Sequence, residues 1–260
     1  MRDFLDILAQ SARETIKGGY YNVEGVTTKA LKISLRKAIL EAMQAPVIAE
    51  IKPASPSAGV IRKSVDVHSI AQSIEQGGAI GISVLTEPKH FNGALSSLVE
   101  ARKASRLPIL MKDIILSPLQ LEAAAKMGAD AVLLIQALFD RGYCECNVED
   151  MIAKAHALGL EVLLEAHTEA EFRSAVKTFA DLVGVNNRDL ATLKVDLNTT
   201  REILQRNHAE GKIVVSESGI NTPADVRFLR ECGAQAFLIG SAVMFAANIE
   251  KKVKEFVHAL

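Results

Sequence analysis

Eight short, nearly unbroken apolar runs set the rhythm of this chain. They are PVIAEIKP (46–53), AIGISVLTE (79–87), PILMKDI (108–114), DAVLLIQAL (130–138), EVLLEAH (161–167), LVGVNNRDL (182–190), KIVVSESGI (212–220) and AFLIGSAVM (236–244). Continuous rather than alternating apolarity predicts parallel strands covered on both faces. Between the runs lie stretches with helical spacing, such as SPLQLEAAAKMGA (117–129) and TPADVRFLRECGA (222–234). Each opens with a hydroxyl cap followed by proline at the first helical position, Ser117-Pro118 and Thr222-Pro223. Gly78-Ala79, Gly128-Ala129 and Gly233-Ala234 each stand between a helical segment and the next run. Glycine accepts the left-handed conformation that ends many helices, so one helix-to-strand joint is reused.

Eight such units in roughly 215 residues is the count of an α/β (β/α)8 TIM barrel. Residues 1–44 carry the helical patterns FLDILAQSARETI and KALKISLRKAILEAM but no strand run. They are read as an N-terminal helical extension, with the barrel over 45–260, all in a single domain. The rival is a doubly wound open sheet. That fold usually brings a glycine-rich first turn, and KPASPSAGV is not G-x-G-x-x-G.

In such a barrel the active site lies at the C-terminal ends of the strands. Residues two apart on a strand share a face. Glu50 and Lys52 therefore point the same way at the end of the first strand. Lys112 follows Leu110, Glu165 follows Leu163, and Glu217 follows Val215; Gly184, Asn186 and Arg188 form another such row. His167 continues the Glu165 row one step further out, which suits a supporting place behind that carboxylate. A charge at a strand end is commonly a solvated boundary residue. Polar residues at the same end of five strands point instead to a working site, because desolvating a charge without a partner is expensive.

Composition narrows the setting. The 260 residues carry a net charge of −1 and 49% hydrophobic content, enough for a substantial core. No basic stripe marks a nucleic-acid binder; EKKVKEF near the C-terminus reads as a solvated helix face. No run reaches the roughly 18 apolar residues of a membrane span, and the first thirty residues lack a secretory core. Cys144, Cys146 and Cys232 make an odd count without metal-ligand spacing, which fits a reduced, cytoplasmic protein.

Small residues form a second constellation. Ser55, Pro56 and Ser57 follow the first strand; Ser218 and Gly219 end the seventh; Gly240 and Ser241 end the eighth. Barrel phosphate sites commonly use the loops after strands seven and eight, where glycine lets backbone N–H groups approach the anion and serine adds a donor.

The ordered set IAEIKPASPSAG, SVLTEPKHFNG, LMKDIILSPLQ, GADAVLLI, VNNRDL, VSESGI and IGSAVM, over about residues 45–245, resembles the indole-3-glycerol-phosphate synthase family of tryptophan biosynthesis. The resemblance implies a phosphorylated small-molecule substrate, 1-(2-carboxyphenylamino)-1-deoxyribulose 5-phosphate, and a carbon–carbon lyase that makes indole-3-glycerol phosphate. It implies no metal and no organic cofactor. By the same resemblance Lys112 is the general acid of ring closure, Glu50 and Lys52 an acid/base pair, and Glu165 a carboxylate near the reacting centre. Asn186, Arg188, Glu217, Ser218 and Phe91 contact substrate, with Phe91 at the anthranilate ring; Ser55, Gly219, Gly240 and Ser241 bind phosphate. Three positions depart from the family pattern: Pro53 and Ala58 where lysine or arginine is common, and Ile114 where an aromatic is expected. No nucleic-acid or membrane partner is expected, and the chain is expected to be a monomer or weak homo-oligomer.

The chemistry asks for these residue types. Attack of an aromatic carbon on a ketone builds charge on the carbonyl oxygen, which a proton-donating ammonium stabilises. Dehydration needs an acid and a base. An unperturbed lysine, with a pKa of about 10.4, donates sluggishly near neutrality. Lys52 and Lys112 are therefore expected to lower each other. Two alternatives stay open on the residues alone: another barrel enzyme, such as a Schiff-base aldolase with Lys112 as nucleophile or a phosphosugar isomerase, and a non-catalytic phosphometabolite binder.

Overall fold

A computed structural model describes residues 3–25, 32–55, 59–62, 65–190 and 192–260, with the Ser55 side chain outside the description. Eight parallel strands close into a barrel. They are β1 (Val47–Ile51), β2 (Gly81–Leu85), β3 (Ile109–Lys112), β4 (Ala131–Ile135), β5 (Glu161–Ala166), β6 (Leu182–Asn186), β7 (Ile213–Glu217) and β8 (Ala236–Ile239). Each pairs with the next in sequence, and β8 closes onto β1 through Ile48 and Leu238.

The continuous apolar runs follow from two coverings. Ile48, Leu110, Leu133, Leu163, Val215 and Leu238 fill the interior as one cluster. Their sequence neighbours Val47, Ala49, Met111, Val132, Leu164 and Val214 belong to a second cluster shared with the outer helices. The reused joint is present: Gly78, Gly128 and Gly233 have φ of 85°, 92° and 107°. Ser117 and Thr222 cap their helices in capping boxes with Gln120 and Asp225, each with proline in the first turn.

The N-terminal extension reaches both ends of the barrel. Helix α1 (Phe4–Lys17) buries Leu5, Leu8, Ala9 and Ala12 in the interior cluster, beside Ile114 and Leu138. Arg141 ties its first turn down, with Nη1 2.7 Å from Asp3 and 2.9 Å from Asp6. Helix α2 (Leu35–Leu40) plugs the opposite end, where Leu35 lies against Gly81 at the start of β2. The pattern KALKISLRKAILEAM predicts a longer helix. Its first residues fall outside the described ones, and Lys32, Ile33 and Ser34 are spent on the barrel floor: Lys32 Nζ donates to the Ala129 carbonyl at 2.6 Å and Ile33 N–H to Asp130 at 3.0 Å. Ser34 caps α2 and also meets Glu161.

Candidate active site

The inward rows of β1, β3, β5, β6 and β7 turn polar at one end of the barrel, and their side chains meet there. Lys112 Nζ, at the end of β3, lies 3.0 Å from Glu217 Oε2 on β7, 3.5 Å from Glu50 Oε2 on β1 and 3.9 Å from Glu165 Oε2 on β5. Lys52 Nζ lies 2.8 Å from Glu50 Oε1. The three carboxylates are buried. Asn186 on β6 hydrogen-bonds Glu165 and also accepts the Arg188 N–H at 2.9 Å.

Burial alone would lower the Lys112 ammonium, but Glu217, Glu50 and Glu165 raise it above the ordinary lysine value. The expectation that Lys52 would depress Lys112 is overturned: carboxylates from three other strands outweigh one cation. Burial works to raise Glu50, and Lys52 and Lys112 hold it below the ordinary carboxylate range. Burial likewise opposes ionisation of Glu165, yet His167 and Lys112 pull it well down. Glu217 moves the other way; burial raises it against the pull of Lys112, and the charge of Glu165 adds to the rise. One buried site thus holds a firmly charged lysine, firmly charged acids and an acid that retains its proton more readily.

Above this centre opens a cavity of about 330 Å³. Phe91, Ile114, Leu133 and Leu85 form one apolar wall, and Phe4 and Leu8 of α1 complete it. On the other side Ser218, Gly219, Gly240 and Ser241 line the same space, together with Arg188. Ser218 and Gly219 both have left-handed backbone, φ 67° and 83°. Ile114, in place of an aromatic, lies on the apolar wall. The serine of SPS cannot be assigned with the rest, since Ser55's side chain and residues 56–58, including Ala58, lie outside the described residues.

His167 is set back from the cavity, with Nε2 3.1 Å from Glu165 Oε1. Several site residues escape a reading by strand parity. Glu87 is buried at the cavity wall and accepts the backbone N–H groups of Lys89, His90 and Phe91 at 3.1, 2.7 and 3.1 Å, so it shapes the loop that presents Phe91. Asn187 points away from the cavity. Its amide donates to Ser216 Oγ at 3.0 Å and to the carbonyls of Glu217 and Ser218 at 3.0 and 3.1 Å, fixing the end of β7. Leu190, Leu193 and Val195 lean over the cavity on a loop that Arg188 holds by donating to the Leu193 carbonyl at 2.9 Å. The signal for Glu87 was present as an acid inside LTEPKHFNG, but its partners are backbone groups that no spacing rule exposes.

A closed eight-stranded parallel barrel with a lysine–carboxylate cluster at its C-terminal mouth defines a protein of the (β/α)8 TIM-barrel class. The fold is shared with N-acetylmannosamine-6-phosphate 2-epimerase from Clostridium perfringens, at a TM-score of 0.61 and 17% identity over 83% of this chain and 93% of that one. The family model described as indole-3-glycerol phosphate synthase matches residues 7–256, and the chain belongs to that family. It is 43% identical to the indole-3-glycerol phosphate synthase of Aromatoleum aromaticum over 253 residues, covering 94% of this chain and 95% of that protein. It is also 43% identical to the Methanocaldococcus jannaschii protein of the same name, covering 88% of this chain and 85% of that one.

Proposed function

We propose that the chain closes the indole ring, converting 1-(2-carboxyphenylamino)-1-deoxyribulose 5-phosphate to indole-3-glycerol phosphate with loss of carbon dioxide and water. The observation that carries this reading is the setting of Lys112. One ammonium stands within 4 Å of Glu217, Glu50 and Glu165. It does so at a cavity with an apolar wall on one side and a serine–glycine turn on the other.

Lys112 donates its proton to the ketone oxygen as the aromatic carbon attacks. The new carbon–carbon bond interrupts aromaticity at the carbon bearing the carboxylate. Carbon dioxide then leaves, and its bonding pair flows into the substrate's own iminium and restores the ring, so no metal or organic cofactor is needed. For dehydration, Lys52 protonates the departing hydroxyl and Glu50 takes a proton from the adjacent carbon. The 2.8 Å contact between the two lets that proton return to Lys52. Glu165 assists the base. Each such group contributes roughly 10²- to 10⁴-fold.

Phe91, Ile114 and Leu133 hold the carboxyphenyl ring. Asn186, Arg188, Glu217 and Ser218 contact the polar parts of the substrate. Gly219, Gly240 and Ser241 receive the phosphate; Ser55 is assigned to the same seat by the family resemblance alone. The three cysteines are free, in keeping with a reducing cytoplasm. Lys112 is kept charged by its acids. This works against a nucleophilic amine and gives the developing oxyanion a fixed positive charge. It also makes the ammonium a weaker acid than a free lysine, so its proton passes only as charge builds on the ketone oxygen. The decisive experiment is a fluorescence assay for indole-3-glycerol phosphate with the purified chain and the carboxyphenylamino substrate. Turnover supports the reading and its absence refutes it. Borohydride reduction in the presence of substrate should leave Lys112 unmodified; a lysine adduct supports the aldolase instead.

A further inference from the structure

Behind Glu165 the barrel carries a histidine to which the reaction assigns no task. His167 follows the end of β5 and immediately precedes Thr168, the cap of the helix Glu169–Ala175. Its side chain is 10% exposed. Nε2 lies 3.1 Å from Glu165 Oε1, and Nδ1 lies 3.5 Å from Glu171 Oε2. That same Glu171 oxygen accepts the His167 backbone N–H at 2.8 Å, while the Glu171 N–H donates to Thr168 Oγ1 at 3.2 Å. Neither ring nitrogen makes a well-directed hydrogen bond, so the imidazole sits between two carboxylates as a charge contact, from the first turn of a helix to the reaction centre.

Glu165 is one of three acids around one lysine. Its Oε2 faces Lys112 at 3.9 Å, further than the nearest oxygens of Glu50 and Glu217. Lysine alone is therefore a weak anchor for it, and a like-charged neighbour such as Glu217 favours its protonation. The groups facing the pair are few: Lys112 on β3, Asn186 on β6 and Glu217 on β7 meet Glu165 from the barrel side. On the helix Gln136–Asp140, which packs on β5 and on Glu169–Ala175, Asp140 is taken up by Gln136 Nε2 at 2.8 Å.

We propose that His167, held from behind by Glu171, is a positioning residue for Glu165: as an imidazolium it fixes one carboxylate oxygen, turns the other toward Lys112 and keeps Glu165 ionised. This rests on the reading of Glu165 as part of the catalytic centre. The electrostatics agree, since burial works against the charged imidazole but Glu165 and Glu171 raise it to about 9.

Two measurements test it, and they fail separately from the proposed activity. In ¹⁵N-histidine-labelled protein, long-range ¹H–¹⁵N spectra should show both His167 nitrogens protonated up to about pH 9. Glu171→Gln should move that titration downward. A His167 that titrates near the ordinary value of about 6.5 overturns the proposal, whatever the protein does with substrate. In kinetics, His167→Gln should lower kcat about tenfold while KM stays within about twofold, and should move the acid limb of kcat to higher pH as Glu165 loses its cation. Glu171→Gln should shift that limb in the same direction by less, and it carries the test if His167→Gln does not fold. An acid limb that stays in place in the folded variants overturns the proposal. Absence of turnover in the unaltered protein would refute the activity and leave the imidazole titration to be judged alone.

Discussion

Gly184 and Glu217 share one volume. A Cβ on Gly184, in the middle of β6, would overlap Glu217 Oε1 and come within 3.4 Å of Glu165 Cα. Gly240 makes the same provision for Glu50, with Lys52 Nζ 2.9 Å from where its Cβ would stand. The acids enter the barrel interior because side chains are missing opposite them. Gly184→Ala should therefore displace Glu217 from Lys112, lowering kcat at least about tenfold. Overpacking should cost about 1–3 kcal/mol of stability. Steady-state turnover and urea unfolding check both, and an alanine variant with unchanged kcat would show that the carboxylates do not need this room.

Lys112→Ala should collapse turnover by roughly 10²- to 10⁴-fold while leaving substrate affinity nearly intact. Because its three acids raise Lys112 above the ordinary lysine value, it stays protonated throughout the neutral range. The basic limb of the unaltered enzyme's pH–rate profile should then lie elsewhere than on Lys112 below about pH 10. Wild-type-like turnover in the alanine variant would remove Lys112 from the chemistry.

Strand parity is rigid, and that is why so much of the centre was legible in the sequence. Each of the eight apolar runs contains a strand, and alternate residues bring Glu50, Lys52, Lys112, Glu165, Asn186 and Glu217 to one mouth. What parity cannot show is how opposing charges balance. Pairing the two lysines mispredicted Lys112 because the acids that control it come from β1, β5 and β7, far apart in sequence. Asn187 looks like a duplicate of Asn186, yet it faces outward into a buried network with Thr200 and Ser216. The pattern of α1 showed an amphipathic helix but not that Phe4 and Leu8 would wall the cavity, a contact set by the tertiary fold.

Asp113 gives a pH-dependent test of the support beneath Lys112. It is buried and accepts hydrogen bonds from Tyr21 Oη at 3.0 Å, Thr86 Oγ1 at 2.5 Å and the Ile114 N–H at 2.7 Å. Burial pushes its carboxyl up to about 6 despite those donors. Between the unfolded value of about 3.9 and this one, the folded chain holds a proton that the unfolded chain releases. Its contribution is fully present below about pH 4 and is lost as pH rises through about 6, amounting to about 3 kcal/mol. Asp113→Asn lacks this component, so its stability relative to the unaltered protein should improve by about 2 kcal/mol from pH 4 to pH 7. Urea unfolding at the two pH values measures the gap, and a gap that does not change contradicts a raised carboxyl.

Ser218 shows where local strain serves the site. Its φ of 67° is a conformation that costs a non-glycine residue about 1 kcal/mol or more. Asn187 holds it there through the Ser218 carbonyl at 3.1 Å. Ser218→Gly should relieve that strain and raise stability by about 1 kcal/mol. The same change removes a hydroxyl at the cavity wall, so KM for the phosphorylated substrate should rise while kcat changes less. Chemical unfolding and initial-rate kinetics on one preparation decide the matter. A glycine variant no more stable than the parent would mean that the turn stores no strain, and an unchanged KM would remove Ser218 from the substrate contacts.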